Sequence, residues 1–314
     1  MKTNTKLAVA FLAAASSIAA SAADAPAPAP AVTFSGYAVV TGSITKDSGA
    51  ASVSDLDLTA AKFGVSAKLA SNVSAYASLY YNGTDADLLD AYVTVDAGSG
   101  LTITAGNFLS YMGYEAFDAI NMAQISYANG GLLGGPVPAY HTGVKVDYVT
   151  GNHGLGAAVV DSIYGSTLFN GDGSYTSKGL EAYYTYKGIK DTQIWLGGLQ
   201  DNDNGGAVYD LWVSYALNKT DSLGAEYLVK ESDGYNWLLA YTKGIDSKLS
   251  VTARLSGESS DVADAKFVKY TLSPSYAFTD KFTVRAEVSY TDYSGAGAST
   301  SNSTFYAIQS LFKF

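Results

Sequence analysis

No cysteine occurs anywhere in the 314 residues, which excludes a disulfide framework and a thiolate metal site. Charge is scarce too: 15% of residues are charged, against about 25% in ordinary soluble domains. The chain is 47% hydrophobic, yet after the N-terminus no apolar run approaches the roughly 20 residues that a membrane helix needs. A helical membrane protein is therefore excluded. The net charge is −10 with no basic cluster, so the positive footprint required to grip phosphate is missing and no nucleic-acid partner is expected. Only two histidines are present, His141 and His153, and there is no G-x-S-x-G elbow, H-E-x-x-H helix or P-loop. A Ser-His hydrolase would have to use His141, which reads more simply as a loop-to-strand residue. Asp201-x-Asp203-x-Gly205 has the spacing that opens a calcium loop, but Trp212 occupies the place of the bidentate glutamate. No catalytic residue, metal ligand or cofactor is expected.

Residues 1–23 carry Lys2 and Lys6, the apolar run LAVAFLAAASSIAA and an A-x-A at Ala20-Ser21-Ala22. This is the pattern of a secretory signal peptide, and its apolar core is too short for a stable span. Residues 24–31 alternate alanine and proline and predict an extended periplasmic tether.

From Val32 to Phe314 a two-residue period takes over, in short runs separated alternately by tight turns and longer polar loops. The tally is about sixteen strands, with both termini on the tight-turn side. No motif repeats every 20 to 50 residues as a solenoid or propeller would require, and a soluble sandwich rarely uses so many consecutive hairpins. The pattern predicts an all-β fold, a transmembrane antiparallel β-barrel of about sixteen strands.

Parity sorts the faces. In the fifteenth run Phe282, Val284, Ala286, Val288 and Tyr290 alternate with Thr283, Arg285, Glu287 and Ser289, so the first set suits lipid and the second a watery lumen. The same reasoning points Arg254, Lys269 and Arg285 inward, as a basic wall. Tyr148, Tyr184, Tyr186, Tyr215, Tyr227, Tyr241, Tyr276 and Tyr290 fall on apolar faces, as interfacial girdles do. The last strand, FYAIQSLFKF, ends on Phe314 and is similar to the signature that outer-membrane barrels present to their assembly machinery, with Ser310 as its one weak position.

One stretch, Phe108 to His141, has no clear alternation and falls in the third long-side connection. Inside a barrel such a loop, taken as 108–140, is expected to fold back and narrow the lumen, with Gly130-Gly131 and Gly134-Gly135-Pro136 supplying sharp turns. Tyr114 to Ser126 has helical spacing, which would turn Phe117, Ile120 and Ile125 to the wall and Glu115, Asp118, Asn121 and Gln124 to the lumen. Together with Tyr111 these polar residues are the expected constriction, facing the basic wall across the narrowest point.

The segment LLDAYVTVDAGSGLTITAGNFLSYMGYEAFDAINMAQISYA, followed by PAYHTGVKVDY, resembles the OmpL-like β-barrel porin-2 family. Asp90-Ala91-Tyr92, Gly106-Asn107-Phe108, Gly113-Tyr114-Glu115, Asn121, Ser126 and His141-Thr142-Gly143 carry the likeness, which covers about Asp90 to Tyr148. It implies a channel of the bacterial outer membrane and transfers no site residues. The expected function is passive diffusion of small hydrophilic solutes or ions; the alternative is a non-conducting structural or adhesive barrel plugged by the same loop. The expected partners are outer-membrane lipid, the barrel assembly machinery, small solutes, and two further copies in a homotrimer. That trimer would pack through small outward residues such as Ala61, Ala67, Ala91 and Ala105.

Overall fold

The structure is a computed structural model that describes residues 31–163, 178–201, 206–298 and 302–314. The leader and nearly all of the tether lie outside these residues, as do Asp203 and Gly205 of the calcium-like spacing. Ala31 is already engaged, accepting a hydrogen bond from the Lys68 N–H at 3.3 Å.

Sixteen strands form one sheet closed on itself. In chain order they are β1 Val32–Asp47, β2 Val53–Ala70, β3 Val73–Tyr81, β4 Ala86–Gly98, β5 Leu101–Leu109, β6 Tyr140–Thr150, β7 His153–Val160 and β8 Gly179–Tyr186. They continue with β9 Thr192–Asp201, β10 Ala207–Ala216, β11 Ser222–Lys230, β12 Gly234–Gly244, β13 Leu249–Ser260, β14 Ala265–Ala277, β15 Phe282–Ser294 and β16 Ser303–Lys313. Every strand pairs antiparallel with its sequence neighbours, and β1 closes on β16 from Tyr37↔Lys313 to Asp47↔Ser303. Closure removes both sheet edges, which lipid could not hydrogen-bond. At the seam Gly36 and Phe314 exchange backbone bonds of 3.2 and 3.0 Å. A Cβ on Gly36 would lie 2.5 Å from the Phe314 ring, so glycine is what lets the terminal aromatic lie against the first strand.

The tight turns have a shared local cause. Asn218 Oδ1 accepts from the Thr220 and Asp221 N–H groups at 2.8 and 2.9 Å, and Asp246 Oδ1 from those of Lys248 and Leu249 at 2.7 and 2.8 Å. Such side chains mimic a backbone turn and reverse the chain within a few residues. The Lys248 and Leu249 N–H groups also hold the Asp246 carboxyl below the ordinary carboxylate range.

The two faces follow the parity read from the sequence. Val288 and Tyr290 are exposed on the outside of β15 while Arg285, Glu287 and Ser289 are buried within. Tyr148, Tyr184, Tyr215 and Tyr276 lie exposed toward the tight-turn ends of their strands, and Tyr209, Tyr227, Tyr235 and Tyr306 toward the opposite ends. They form two amphipathic belts around an aliphatic band.

Inside, the barrel has a core of its own. Phe108, Met112, Val160, Ile163, Trp195, Leu199, Val208 and Leu228 cluster between the loop and strands β5 to β11. Trp195 and Trp212, directly paired across β9 and β10, stack at 5.8 Å with planes 6° apart. Tyr183 stacks on Trp195 at 6.0 Å, and Tyr111 of the loop sits 4.6 Å from Tyr183.

Val288 stands midway along β15 on the lipid face, so Val288→Arg is expected to destabilise the folded barrel by about 2–4 kcal/mol. Denaturant unfolding in lipid bilayers measures this, and an unchanged midpoint would contradict the assigned facing.

Candidate functional site

The connection between β5 and β6 runs from 110 to 139, and it lies inside the barrel. The helical spacing over 114–126 does not become a helix. A single 3-10 turn, Ala119–Asn121, is the only regular piece. The reason is visible in the hydrogen bonds: the loop's N–H groups go to carboxylates on the wall and not to carbonyls four residues back.

Those carboxylates stand on five strands of the wall. Glu181 on β8 accepts from the Ser110 hydroxyl at 2.6 Å and the Tyr111 N–H at 3.2 Å. Asp210 on β10 accepts from the Gly113 N–H at 3.0 Å, and Glu226 on β11 from the Tyr114 N–H at 2.6 Å. Glu287 on β15 accepts from the N–H groups of Ile125 and Ser126 at 2.6 and 3.1 Å, and also from the Ser126 hydroxyl. Glu258 on β13 takes the Gly130 N–H at 2.9 Å and the Leu133 N–H.

Wall cations treat the carbonyls in the same way. Arg285 donates to Met122 O at 2.6 Å and Gln124 O at 3.0 Å, and Lys269 to Tyr127 O at 2.9 Å. Lys230 donates to Leu133 O at 2.8 Å. Arg254 donates to Ser126 O at 2.7 Å, to Tyr127 O at 3.1 Å and to the Glu115 carboxylate, and its side chain is 0% exposed. Charged donors and acceptors make the stronger class of hydrogen bond, so the loop is docked, not draped.

Each sequence-expected residue can now be placed. Arg254, Lys269 and Arg285 do point inward from consecutive strands, but all three are engaged by the loop. Glu115 touches Arg254 directly, so this pair does not face across a gap. Asp118 does not share a lip with Glu115: it reaches the far wall, where it accepts from Tyr37 Oη at 2.8 Å and meets Lys62 of β2 at 3.3 Å. Lys62 also pairs with Asp90 of β4 at 2.9 Å, both side chains being under a tenth exposed. Without a helix the two acids lose the common face that i, i+3 spacing implied. Asn121 is exposed, whereas Gln124 is buried with its carbonyl on Arg285. Tyr111 packs on Tyr183 and beneath Lys145, whose Nζ is 5.0 Å from its ring centre. Phe117 leaves the lip to rest on Tyr80 and Tyr140 at 5.5 and 5.2 Å. Tyr114 lies so flat against β11 that a Cβ on Gly224 would fall 2.0 Å from its hydroxyl. His141 is fully buried, edge-on to Phe108 and 3.5 Å from Glu181, as a wall residue under the start of the loop.

Sequence reasoning turned Glu287 to the lumen without giving it a role, and it missed Lys62, Glu181, Asp210, Glu226 and Glu258. For Glu181 in GLEAYYTY and Asp210 in AVYDLWVSYA the signal was a lone charge at an inward position of an otherwise uncharged run; the strands of the other four carry further charges that mask it.

A barrel closed by sixteen strands with a charged, infolded third loop is the frame on which similarity to known proteins can be judged. The family model described as "Putative beta-barrel porin-2, OmpL-like" matches residues 57–250. The chain belongs to the OmpL-like β-barrel porin-2 family. Among solved structures it is similar to outer-membrane OmpT of Vibrio cholerae, at 15% identity over 92% of this chain and 99% of that one, with a TM-score of 0.63. The anion-selective porin from Comamonas acidovorans gives 12% identity over 91% and 100%, at TM-score 0.68. Pseudomonas putida OprB gives 11% over 90% and 94%, at TM-score 0.72. At such identities these likenesses speak for the fold. No curated protein matches the chain in sequence. Family and fold together make it a porin of the bacterial outer membrane, with the architecture of a channel rather than of an enzyme.

Removing Arg254 strands the Glu115 carboxylate in the lumen and frees two loop carbonyls. Arg254→Ala is expected to weaken the docked state by about 3–5 kcal/mol, seen as protease cleavage within 110–139 of folded barrels. Equal protease resistance of variant and wild type would show that the pair does not hold the loop.

Proposed function

We propose that this porin lets small hydrophilic solutes or ions diffuse passively through its lumen, with the loop as a fixed constriction. The observation that carries the reading is the docking itself: a polar loop held inside a closed barrel by wall charges at β8, β10, β11, β13, β14 and β15. A loop so held narrows a passage at a constant place. Beside it a cavity of ≈ 370 Å³ remains between loop and wall. Tyr111, Glu115, Asp118, Asn121 and Gln124 are the proposed constriction residues, and Arg254, Lys269 and Arg285 the proposed basic wall. Fixed charges of both signs order water and ions at the narrowest point, and a Debye length of about 8 Å at physiological salt confines their effect to it.

A second reading, a barrel plugged and non-conducting, draws on the loop's reach as far as Tyr37 and Lys62 on the opposite wall. Planar-bilayer recording separates the two. Refolded, heat-modifiable protein is expected to show step conductance, and a complete lack of steps would leave the plugged barrel. Within the conducting reading, Glu115→Gln with Asp118→Asn is expected to move the reversal potential in a salt gradient toward anions. Arg254→Ala with Arg285→Ala should move it toward cations. If neither double variant shifts it beyond scatter, the constriction assignment is wrong.

One solved OmpT structure is described as a trimer form, and the same assembly is proposed for this chain. Ala61, Ala67, Ala91 and Ala105 have outward parity on β2, β4 and β5, opposite inward Lys62, Asp90 and Thr104, and would give a smooth packing face. Cross-linking in native membranes should yield a three-copy band, and monomer bands alone would refute the trimer. Assembly through the barrel machinery is proposed to begin at β16 and the Phe314 that follows it, which is already bonded to Gly36.

A further inference from the structure

The two rims of the barrel carry opposite surpluses of charge. Around the tight turns, residues 68–73, 96–101, 149–153, 187–191, 217–221, 243–248, 278–281 and 313–314 hold eight lysines and five aspartates, besides the terminal carboxylate. On the loop side, residues 46–57, 82–87, 230–233 and 261–266 hold nine acids and three lysines. The lysines of the tight-turn rim are gathered on one arc. The turns after β8, β10, β12 and β14 carry Lys187 and Lys190, Lys219, Lys243 and Lys248, and Lys281, all exposed. Around the turns after β2, β4 and β6, below the alanine-rich face, the same ranges hold only Lys68 and Asp96.

Aspartates of this arc are committed to the turns themselves. Asp246 Oδ1 holds the Lys248 and Leu249 N–H groups, and Asp221 accepts from the Gly244 N–H at 3.1 Å and the Tyr241 hydroxyl at 3.4 Å. The six lysines are not so committed. Among the described residues only Lys190 forms an ion pair, with Asp191 at 3.9 Å, and its own side chain is 92% exposed. The ammonium groups therefore face outward with their donors free for a partner.

Each of the four turns also presents an apolar side chain beside its lysine. Ile189, Leu217, Ile245 and Phe278 are exposed there, each a few residues after an outward tyrosine (Tyr184, Tyr215, Tyr241 and Tyr276) and just before Lys190, Lys219, Lys248 or Lys281. Tyrosine, apolar residue and lysine in that order match the passage from hydrocarbon through interface to headgroup, with the lysine stem lying along the apolar layer and its charge beyond it. A soluble acidic partner would have no use for the apolar members. Zwitterionic lipid would leave the ammonium surplus without counter-charge, whereas an anionic headgroup supplies it.

We infer that the arc from the β8–β9 turn to the β14–β15 turn is a binding surface for anionic phospholipid in the leaflet at the tight-turn side, with the six lysines on the headgroups and the four apolar residues among the upper acyl chains. The inference rests on the outer-membrane barrel alone and holds for a conducting or a plugged lumen.

To test it, the full barrel in detergent is exchanged against equimolar phosphatidylglycerol and phosphatidylcholine with the same acyl chains and repurified, and the phospholipid it retains is measured by mass spectrometry. Wild type is expected to prefer phosphatidylglycerol by at least about fivefold, the factor that one surface lysine contributes. Changing Lys187, Lys190, Lys219, Lys243, Lys248 and Lys281 each to Gln should bring the ratio near one. Lys46→Gln with Lys178→Gln and Lys266→Gln, which takes charge from the loop side, should leave it as in wild type. Salt at 1 M, where the Debye length is about 3 Å, should lower the wild-type ratio as well, so the test survives if the six-lysine variant does not fold. Equal retention of the two lipids by heat-modifiable wild type, a ratio indifferent to salt, or an equal loss of preference in the loop-side variant overturns the surface.

Discussion

Irregular backbone inside a membrane barrel must find a partner for every N–H and carbonyl, because neither lipid nor a narrow lumen supplies enough water to solvate it. The docked loop meets that constraint with side chains. Glutamates and aspartates of the wall take its N–H groups, and arginines and lysines take its carbonyls. This explains how thirty residues with almost no regular structure hold one path through the barrel.

The same arrangement gives the wall charges a double duty. A residue such as Arg254 or Glu287 is first a structural clamp, and its field at the constriction is what remains after the clamp is made. Close opposite charges such as Glu115 and Arg254 cancel at a distance and act only locally.

Polar clamps do not act alone. The aromatic and aliphatic cluster from Phe108 to Leu228 fills the space between the loop and strands β5 to β11, so one flank of the loop is packed as a protein interior and the other is bonded through charge. Shape complementarity on the first flank limits how far the clamps on the second can relax, since close-packed interiors transmit displacement.

The strands, their number, the inward set of Arg254, Lys269 and Arg285 and the outward tyrosines were all legible in the sequence. Lipid on one side and polar lumen on the other impose a two-residue period, and that period is local. The place of the infolded loop was legible for the same reason, as the stretch where alternation stops. What the loop does inside was not. Its helical spacing assumed that N–H groups bond four residues back, whereas wall carboxylates more than 60 positions away claim them. Glu115 and Arg254, separated by 139 positions, and Asp118 and Lys62, separated by 56, were brought together by closure of the barrel. Periodicity reports which side of a strand a residue occupies; only the tertiary structure decides which two sides meet, because that depends on the circumference of a closed sheet and not on any neighbour along the chain.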